Sequence, residues 1–505
     1  MKITENPPDI SRRTFMAVAG GAAGLAAMAA MGLSPSDGEA SPNIAKIDAS
    51  KITSTEHEAD VLVIGGGIAG LFAAVKAHDA GSKVMLVSKG RLGSSGQTPF
   101  AKGIFAFDPS TAKMSLDEYV AAVSRSAIGT NNPVYTRQTA EHSLARVSEL
   151  KEWGFFDSPI YNKSFLKPIK ERNIPVKERI IITHLIKEDG GIAGAAGFSL
   201  GDEKIHFFKA KSVILCTGAG GFKPNGFPIC DLTHDGTVMA YEIGAKVTGK
   251  EWNDGHPGRS ENPAACYDGW GGVGGMFDQK PSVTGVGIRH DLGVEINYRA
   301  YKLGNPATGG PGSGGPRQTV EGGPYRPAEF AETGGPPADA PSGDGAPGGP
   351  PGGDKGKKGG LPSGFSNDPV GGSSAGMSIH KSEGLVPIND KCESNIPGLY
   401  AAGDALGSYM AGAIYTQIGS SLAGSAVQGA FAGKAASEYS QDIDRPKMSK
   451  AAKKKVEDEI LAPLKREAGY GPAWVTQTLQ SIMIPNFIIY VKKENLLKAA
   501  LAYVE

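Results

Sequence analysis

The sequence predicts an α/β protein built around a dinucleotide-binding sheet, on the strength of three neighbouring patterns. Residues 60–64, DVLVI, have the pattern of a buried strand, and the run GGGIAG at 65–70 follows at once. An apolar helix pattern then extends to Ala80, and a second strand pattern occupies 83–87. A strand, a glycine-rich turn, a helix and a second strand form a Rossmann-like unit, and this context makes the motif far more specific than its glycines alone.

The N-terminal segment, residues 1–40, has the pattern of an export signal. Arg12 and Arg13 precede an apolar run that reaches Leu33, and the small residues Gly38 and Ala40 offer a cleavage site. The segment resembles a twin-arginine signal peptide, which implies that a folded, cofactor-loaded protein is carried to the periplasm. A membrane anchor is the alternative, but a run of mostly Ala and Gly transfers poorly into hydrocarbon. We therefore expect no integral membrane span after signal cleavage.

Each glycine of the predicted turn has its own physical task. Gly65 permits the tight turn, Gly67 lets the backbone approach a pyrophosphate, and Gly70 lets the helix pack close to the strand. The phosphates then meet the positive end of the helix dipole. These residues are therefore predicted to bind a dinucleotide.

Composition excludes several kinds of function. The chain carries 52 basic and 52 acidic side chains, so no global field attracts nucleic acid. Its four cysteines lie far apart without a C-x-x-C pair, so zinc, iron-sulfur and c-type haem sites lack their ligand spacing. We therefore predict no metal site, and we expect any redox chemistry to use an organic cofactor. Cys216, in the apolar run VILC, is predicted to be a small buried side chain.

The residues after the second strand indicate which cofactor is bound. The simple nicotinamide fingerprint has an acidic residue here, whereas this chain has Ser88 and Lys89. That pair, with SSGQT at 94–98 and AKGI at 101–104, resembles the flavin loop of the succinate dehydrogenase and fumarate reductase flavoproteins, a family that includes aspartate oxidase and the adenylylsulfate reductase flavoprotein. The resemblance implies that FAD is bound. It assigns to the cofactor Ser88, Lys89, Gln97, Thr98 and Gly103.

The mode of FAD attachment follows from one position in this loop. Respiratory members of the family place there a histidine that is bonded covalently to FAD, and this chain has Gln97. The resemblance therefore implies non-covalent FAD.

The resemblance continues along the later part of the chain. CTGAGG at 216–221 is similar to the family's return to the cofactor sheet, and THDG at 233–236 to its T-G-D-G element. Residues 396–404 resemble the strand and turn that place an acidic side chain near the flavin ribityl chain. GSSL at 419–422 resembles the start of a helix that faces the flavin ring, where the helix dipole would stabilise negative charge on reduced flavin. The residues implied to bind FAD are Gly218, Asp235, Gly403, Asp404, Ser420 and Ser421.

Two residues are candidates for catalysis. EWNDGHP at 251–257 resembles a family stretch that ends in His-Pro, which makes His256 a candidate substrate ligand. RHDLG at 289–293 resembles the segment whose arginine delivers a proton opposite flavin hydride transfer, which makes Arg289 the candidate donor. A guanidinium is normally a poor acid, so that role requires a desolvated site. A loop role for His256 and a surface role for Arg289 stay open.

Two features of the dicarboxylate-using family members are missing. GSS at 372–374 stands where those enzymes have a histidine, and YTQ at 415–417 stands where they have an arginine that grips the second carboxylate. The planar fork of arginine binds a carboxylate bidentately, and neither Thr nor Gln replaces it. Fumarate and succinate are therefore disfavoured, and the small-molecule substrate is expected to be less charged, larger or aromatic.

Composition also suggests where the chain divides. Residues 304–364 are rich in Gly and Pro and have almost nothing to bury, so they are predicted to form a disordered surface insertion. The predicted divisions are the signal peptide at 1–40, the first part of the FAD-binding domain at 55–255, a shortened capping region at 256–303, the insertion at 304–364, the second part of the FAD-binding domain at 365–436 and a helical C-terminal segment at 437–505.

These observations predict an exported flavoprotein oxidoreductase. It would transfer a hydride between FAD and an organic substrate and exchange electrons with a separate electron-transfer protein. Two alternatives stay open. The first is a FAD-binding or scaffold protein that has lost catalysis, which the missing substrate residues and the shortened cap suggest. The second is a nicotinamide-dependent dehydrogenase, which the turn motif alone would also suit but which Ser88 disfavours.

Overall fold

The computed structural model covers the parts of the chain that carry the predicted sheet. It describes residues 49–199, 201–220, 233–249, 258–259, 278–288, 369–370, 384–412, 416–417, 419–466, 468–483 and 493–505. The predicted signal segment, the predicted insertion, His256 and Arg289 lie outside these residues.

Strands and helices alternate in the first half of the described chain, and helices dominate its end. The strands are β1 (Ser54–Ile64), β2 (Val84–Ser88), β3 (Gly103–Phe105), β4 (Val176–Glu178), β5 (Ile180–Glu188), β6 (Gly191–Ser199), β7 (Ile205–Leu215), β8 (Val247–Thr248), β9 (Gly258–Arg259), β10 (Ser282–Thr284), β11 (Pro369–Val370), β12 (Gly384–Leu385) and β13 (Leu399–Ala401). The helices are α1 (Ile68–Asp79), α2 (Leu116–Ser126), α3 (Pro133–Glu152), α4 (Asn162–Glu171), α5 (Asp235–Glu242), α6 (Ser420–Asp442), α7 (Lys450–Leu461), α8 (Pro472–Met483) and α9 (Glu494–Val504).

The central sheet contains seven of the described strands. Its order is β4-β2-β1-β7-β6-β5, and β13 also pairs with β7. The strands β4, β2, β1, β7 and β13 run parallel to one another, whereas β5, β6 and β7 form an antiparallel meander. The predicted α/β fold with a parallel dinucleotide-binding sheet is therefore confirmed.

The two halves of the chain meet at β7 and at the crossing of α1 with α6. Residues 399–401 of β13 pair with 213–215 of β7, so a strand from beyond the predicted insertion joins the first sheet. On α6, a Cβ added at Gly429 would lie 2.3 Å from the carbonyl oxygen of Ala69, and one at Gly433 would lie 2.4 Å from that of Ala73. Glycine at these positions lets the two helices approach closely.

A long helix spans the boundary predicted between the FAD-binding domain and the helical C-terminal segment. Helix α6 runs to Asp442, so the boundary predicted at residue 436 falls within a continuous helix. The following helix, α7, packs through Val456 on the apolar side of the meander, with Met448 and Phe207 in the same cluster. Within the described residues, no helix is both long enough and apolar enough to cross a membrane.

The docking of α7 includes an ion pair that we expect to be acid-sensitive. Glu56 on β1 accepts hydrogen bonds from Lys209 on β7, at 2.8 Å, and from Lys453 on α7. These bonds lower the pKa of the Glu56 carboxyl from 4.5 to about 2. Because the folded state favours the ionised form, this contribution to stability is present above about pH 4.5 and is lost as the pH falls toward about 2.

Glu56→Gln should therefore lower the free energy of unfolding near neutral pH but not near pH 2. The side chain is 43% exposed, so we expect a loss below about 1 kcal/mol. Urea unfolding at both pH values measures the difference. Glu141→Gln, at an exposed position of α3, is the matched control. An equal loss at both pH values would contradict the ion-pair account.

Candidate cofactor site

The glycine turn after β1 lies at the carboxyl ends of the parallel strands, where such sheets bind dinucleotides. The Gly65 N–H donates to the Val87 carbonyl at 2.8 Å, which ties the turn to β2. Gly65 has a φ of +120°, and a Cβ there would lie 2.1 Å from the Cys216 carbonyl oxygen. A Cβ at Gly70 would lie 1.9 Å from the Gly65 carbonyl oxygen. This geometry suits the tight turn and the close helix packing predicted for the two glycines.

The predicted flavin loop covers the N-terminus of α1. The Thr98 hydroxyl oxygen accepts a hydrogen bond from the N–H of Ile68, the first residue of the helix, at 3.2 Å. A Cβ added at Gly67 would lie 3.2 Å from the same hydroxyl oxygen, so the loop and the turn are in close contact. The loop is therefore held beside the helix end that attracts phosphate.

Gln97 links the flavin loop to the second half of the chain. Its amide nitrogen donates to the Asp404 carboxylate at 3.1 Å, across a sequence separation of 307 residues. Asp404 lies in the short 3-10 helix Gly403–Ala405, which follows β13. The carboxylate predicted to lie near the flavin therefore contacts Gln97 of the predicted flavin loop.

A buried glutamine on α6 holds this turn in place. The Gln428 side chain is fully buried, and its oxygen accepts from the Gly403 N–H at 3.0 Å. Its nitrogen donates to the Ser408 hydroxyl at 2.9 Å. Because both ends of the amide are used, Gln428 ties the backbone just before Asp404 to the side chain of Ser408 after it.

Lys89 lies at the end of β2, in a polar cluster with the T-H-D-G segment. Its ammonium donates to the Thr233 hydroxyl at 3.0 Å and to the Asp235 carboxylate at 3.4 Å. The Thr233 hydroxyl also donates to Asp235, at 2.5 Å. A nicotinamide fingerprint has a carboxylate at the end of β2. This chain instead has the Lys89 ammonium there, and that ammonium pairs with the carboxylate of Asp235, the first residue of α5.

The cleft between these elements receives residues from both halves of the chain. It encloses about 920 Å³ of space, part of which is open to solvent. Ten of the predicted cofactor residues line it, namely Gly65, Gly67, Ser88, Lys89, Gln97, Thr98, Gly218, Asp235, Gly403 and Asp404. The remaining four do not line it: Gly70 packs behind the turn, and Gly103, Ser420 and Ser421 lie in β3 and at the start of α6.

Two buried hydroxyls support the presence of a bound polar group. The oxygens of Thr217, in the cleft wall, and Ser420, the first residue of α6, are buried and have no hydrogen-bond partner among the described residues. Buried polar atoms are nearly always satisfied in folded proteins, so a ligand that accepts from or donates to Thr217 fits the cleft. The residues present therefore fit a dinucleotide cofactor.

Several residues of the site are missed by sequence reasoning. Gln428 is an ordinary polar residue in a helix pattern, and Thr217 belongs to the segment 216–221 without a predicted role of its own. The burial of the Gln428 side chain and of the Thr217 hydroxyl oxygen reveals them. Lys102, in the predicted flavin loop but outside the cleft lining, is also buried. It donates to the Pro159 carbonyl at 2.9 Å and lies 4.5 Å from the centre of the Tyr161 ring. Burial lowers the pKa of its ammonium, and a lysine without a carboxylate partner is rarely buried, so no sequence pattern predicts it.

The structure bears on the cysteine and metal predictions only for the described residues. Cys216 is buried, as its apolar surroundings predict, and it forms no disulfide with another described cysteine. Over the described ranges, no group of three or more His, Cys, Asp or Glu side chains is arranged to hold a metal ion. Cys230 and Cys266 lie outside the described residues.

The fold and the cleft together define a dinucleotide-binding α/β protein, and comparison with known proteins identifies the dinucleotide. Residues 60–164 match the family described as FAD binding domain. This range contains the glycine turn, β2 and the predicted flavin loop. FAD is therefore the cofactor of this cleft, as the sequence predicts, and the nicotinamide alternative is disfavoured.

The chain is similar in sequence to several curated proteins, among them a fumarate reductase and an FAD-dependent oxidoreductase. The chain is 28% identical to a polypeptide of the fumarate reductase (CoM/CoB) of Methanothermobacter marburgensis over 235 residues, which are 40% of this chain and 42% of that protein. It is 26% identical to an uncharacterized FAD-dependent oxidoreductase of Methanocaldococcus jannaschii over 426 residues, which are 76% of this chain and 73% of that protein. The chain thus spans less than half the length of the fumarate reductase polypeptide.

A solved structure extends the likeness of fold beyond the cofactor domain. The Mycobacterium smegmatis Sdh1 complex in the apo form contains a chain that superposes with a TM-score of 0.61 at 21% identity. The superposition covers 88% of this chain and 79% of that one. The fold is therefore shared along most of the chain.

Proposed function

We propose that this protein is an exported flavoprotein oxidoreductase that transfers a hydride between FAD and an organic substrate. The observation that carries the proposal is the cleft in which Gln97 of the first half meets Asp404 of the second. Bound FAD would supply the hydride chemistry at its flavin ring. The chain would hold the cofactor without a covalent bond, because Gln97 stands where a bonding histidine is expected from the family resemblance.

The described residues divide the tasks of holding FAD. The turn at 65–67 and the N-terminus of α1 would bind the pyrophosphate. Asp404 would bind the ribityl chain, and the N-terminus of the 23-residue helix α6 would favour negative charge on the reduced ring. The Ser420 hydroxyl lies at that helix end and has no hydrogen-bond partner among the described residues.

The position that grips a carboxylate in dicarboxylate enzymes has other partners here. Gln417 is fully buried, and its side-chain amide bonds to the backbone of Gly285 and Gly287 at 3.3 Å each. The hydroxyl of its neighbour Thr416 donates to the Ala411 carbonyl at 2.7 Å. These contacts support a substrate other than fumarate or succinate, because neither side chain offers the double donor that a carboxylate requires.

The remaining roles in the proposal extend the family resemblance. His256 would orient the substrate, and Arg289 would move the proton that accompanies hydride transfer. The arginine pair at 12–13 and the apolar run after it support export through the twin-arginine pathway to the periplasm. A separate electron-transfer protein would then exchange electrons with the flavin, since the cysteine spacing offers no built-in cluster.

The visible absorption spectrum of the purified mature protein, before and after acid precipitation, tests the proposal. Flavin bands that move entirely into the supernatant are the expected result. A screen of organic donors and acceptors should then yield turnover that is lost in both His256→Ala and Arg289→Lys while FAD is retained. Full turnover in both variants would refute the two roles, and a colourless protein that takes up no added FAD would refute the proposal itself.

A further inference from the structure

The segment 217–220, here called the cleft wall, leaves the central sheet at the end of β7. Thr217 and Gly218 line the cofactor cleft, and Gly218 has a φ of +74°. The N–H of Cys216, just before the wall, donates to the Ile64 carbonyl at 2.8 Å. The near end of the cleft wall is thereby fixed to β1.

His234 packs on the far end of the cleft wall. Gly220 forms an antiparallel bridge with Thr233, the residue before His234. A Cβ added at Gly220 would lie 1.8, 2.3 and 2.5 Å from Cδ2, Cγ and Nε2 of the His234 ring, which are the three nearest atoms it would meet. The imidazole therefore lies directly against the backbone of Gly220, in the space that a larger side chain there would need.

The backbone of His234 is strained. The residue directly precedes α5 with a φ of +58°, in the left-handed region, and its side chain makes no capping hydrogen bond to the helix. A side chain is sterically disfavoured in this region, whereas glycine adopts it freely. Strain of this kind is retained mainly at functional sites, so it calls for a role of the imidazole ring.

The neighbours of His234 lie in the cleft, whereas His234 is not among the residues that line it. Thr233 and Asp235 line the cleft and bond to each other there. Gly236 lies against the cleft wall, since a Cβ there would lie 1.9 Å from the Thr217 hydroxyl oxygen. The start of α5 thus contacts both ends of the wall, and the His234 ring supports the far end.

We propose that His234 is a positioning residue for cofactor binding, whose ring holds the cleft wall at Gly220 and whose strained backbone directs the ring there. Glycine in its place would relieve the strain but leave a gap where the ring lies. A wall with fewer packing contacts opens more easily, so the cleft would be less well ordered for its ligand. This role concerns the binding of FAD in the cleft and is independent of the proposed reaction.

His234→Gly should separate cofactor affinity from stability. We expect the dissociation constant for FAD to rise about tenfold, because ordering the wall then opposes binding. The urea midpoint of the apoprotein should not fall, because the relief of backbone strain offsets the lost ring contacts. Titration of the full-length apoprotein with FAD, followed by flavin fluorescence, and urea unfolding measure the two effects.

Gly220→Ala tests the same contact from the other side. Its methyl group would need the space of the His234 ring, so the ring must move and the affinity for FAD should again fall about tenfold. In the His234→Gly background the methyl group enters the vacated space, so Gly220→Ala should cause no further loss. In both single variants, amides in peptides that cover 216–220 of the apoprotein should exchange about tenfold faster.

Val238→Ala is the matched control on the same helix. The Val238 side chain is 51% exposed, and its N–H donates to the His234 carbonyl at 3.0 Å. The substitution shortens a side chain of α5 but keeps this bond. We expect wild-type affinity for FAD and wild-type exchange at 216–220.

Each outcome bears on one part of the proposed role. Wild-type affinity in both His234→Gly and Gly220→Ala would overturn it, and Gly220→Ala decides the matter if His234→Gly fails to fold. An equal loss from Gly220→Ala in both backgrounds would show that the methyl group does not displace the ring. A lower urea midpoint in His234→Gly with unchanged affinity would leave His234 a purely structural residue. If the wild-type protein takes up no FAD, the proposed function fails, and exchange at 216–220 still shows whether His234 holds the wall.

Discussion

Replacing Gly65 with alanine is expected to abolish FAD binding and to lower the free energy of unfolding by about 2 to 4 kcal/mol. The added Cβ would lie 2.1 Å from the Cys216 carbonyl oxygen and 2.6 Å from its carbonyl carbon, and the residue would have to keep a φ of +120°. Both obstructing atoms belong to the backbone at the end of β7, so relief requires β1 and β7 to separate beside the cleft. Urea unfolding and flavin absorbance after gel filtration measure the two effects.

Gly190→Ala separates the cost of backbone conformation from that of the clash. Gly190 lies in the hairpin between β5 and β6 with a φ of +84°, and a Cβ there meets no atom of the described residues within 4 Å. This control should lose only about 1 kcal/mol and keep its FAD. Equal losses in both variants, or full FAD binding by Gly65→Ala, would contradict the close approach of β7 to the turn.

The sequence predicts the parts of the site that are local in the chain. The turn 65–70 and the start of α6 after Gly419 are each signalled by a few adjacent residues, because glycine is required where the backbone turns tightly or another backbone comes close. The boundaries are less well predicted. Helix α6 continues past residue 436, since its Ala-rich and Ser-rich sequence gives no signal at which to end it.

The contacts between distant segments could not be predicted from the sequence. The bond between Gln97 and Asp404 exists because β13 pairs with the last three residues of β7, and a strand of three residues carries little pattern of its own. The family resemblance places Asp404 near the cofactor but gives it no partner within the protein. In the sequence, Gln417 is notable only because it lies in the segment where the family resemblance leads one to expect an arginine. Its burial and its hydrogen bonds to the backbone of Gly285 and Gly287 can be seen only in the folded structure.

Gln428→Met is expected to weaken FAD binding by about tenfold or more and to lower the free energy of unfolding by about 2 to 3 kcal/mol. The variant fills the same space in α6 but leaves the Gly403 N–H and the Ser408 hydroxyl, both buried, without the partners they have at 3.0 and 2.9 Å. The backbone beside Asp404 is then free to move, and the carboxylate loses its fixed place opposite Gln97. Titration of the apoprotein with FAD, followed by flavin fluorescence, measures the change in affinity.

Ser408→Ala is the matched control, because it removes one bond of Gln428 and leaves the other. The Gly403 N–H keeps its acceptor in this variant, so the turn that carries Asp404 stays in place. We expect a loss of about 1 kcal/mol in stability with near wild-type affinity for FAD. If Ser408→Ala weakens FAD binding as much as Gln428→Met does, the bond to Gly403 does not position Asp404. If neither variant changes the affinity, Asp404 does not depend on Gln428 at all.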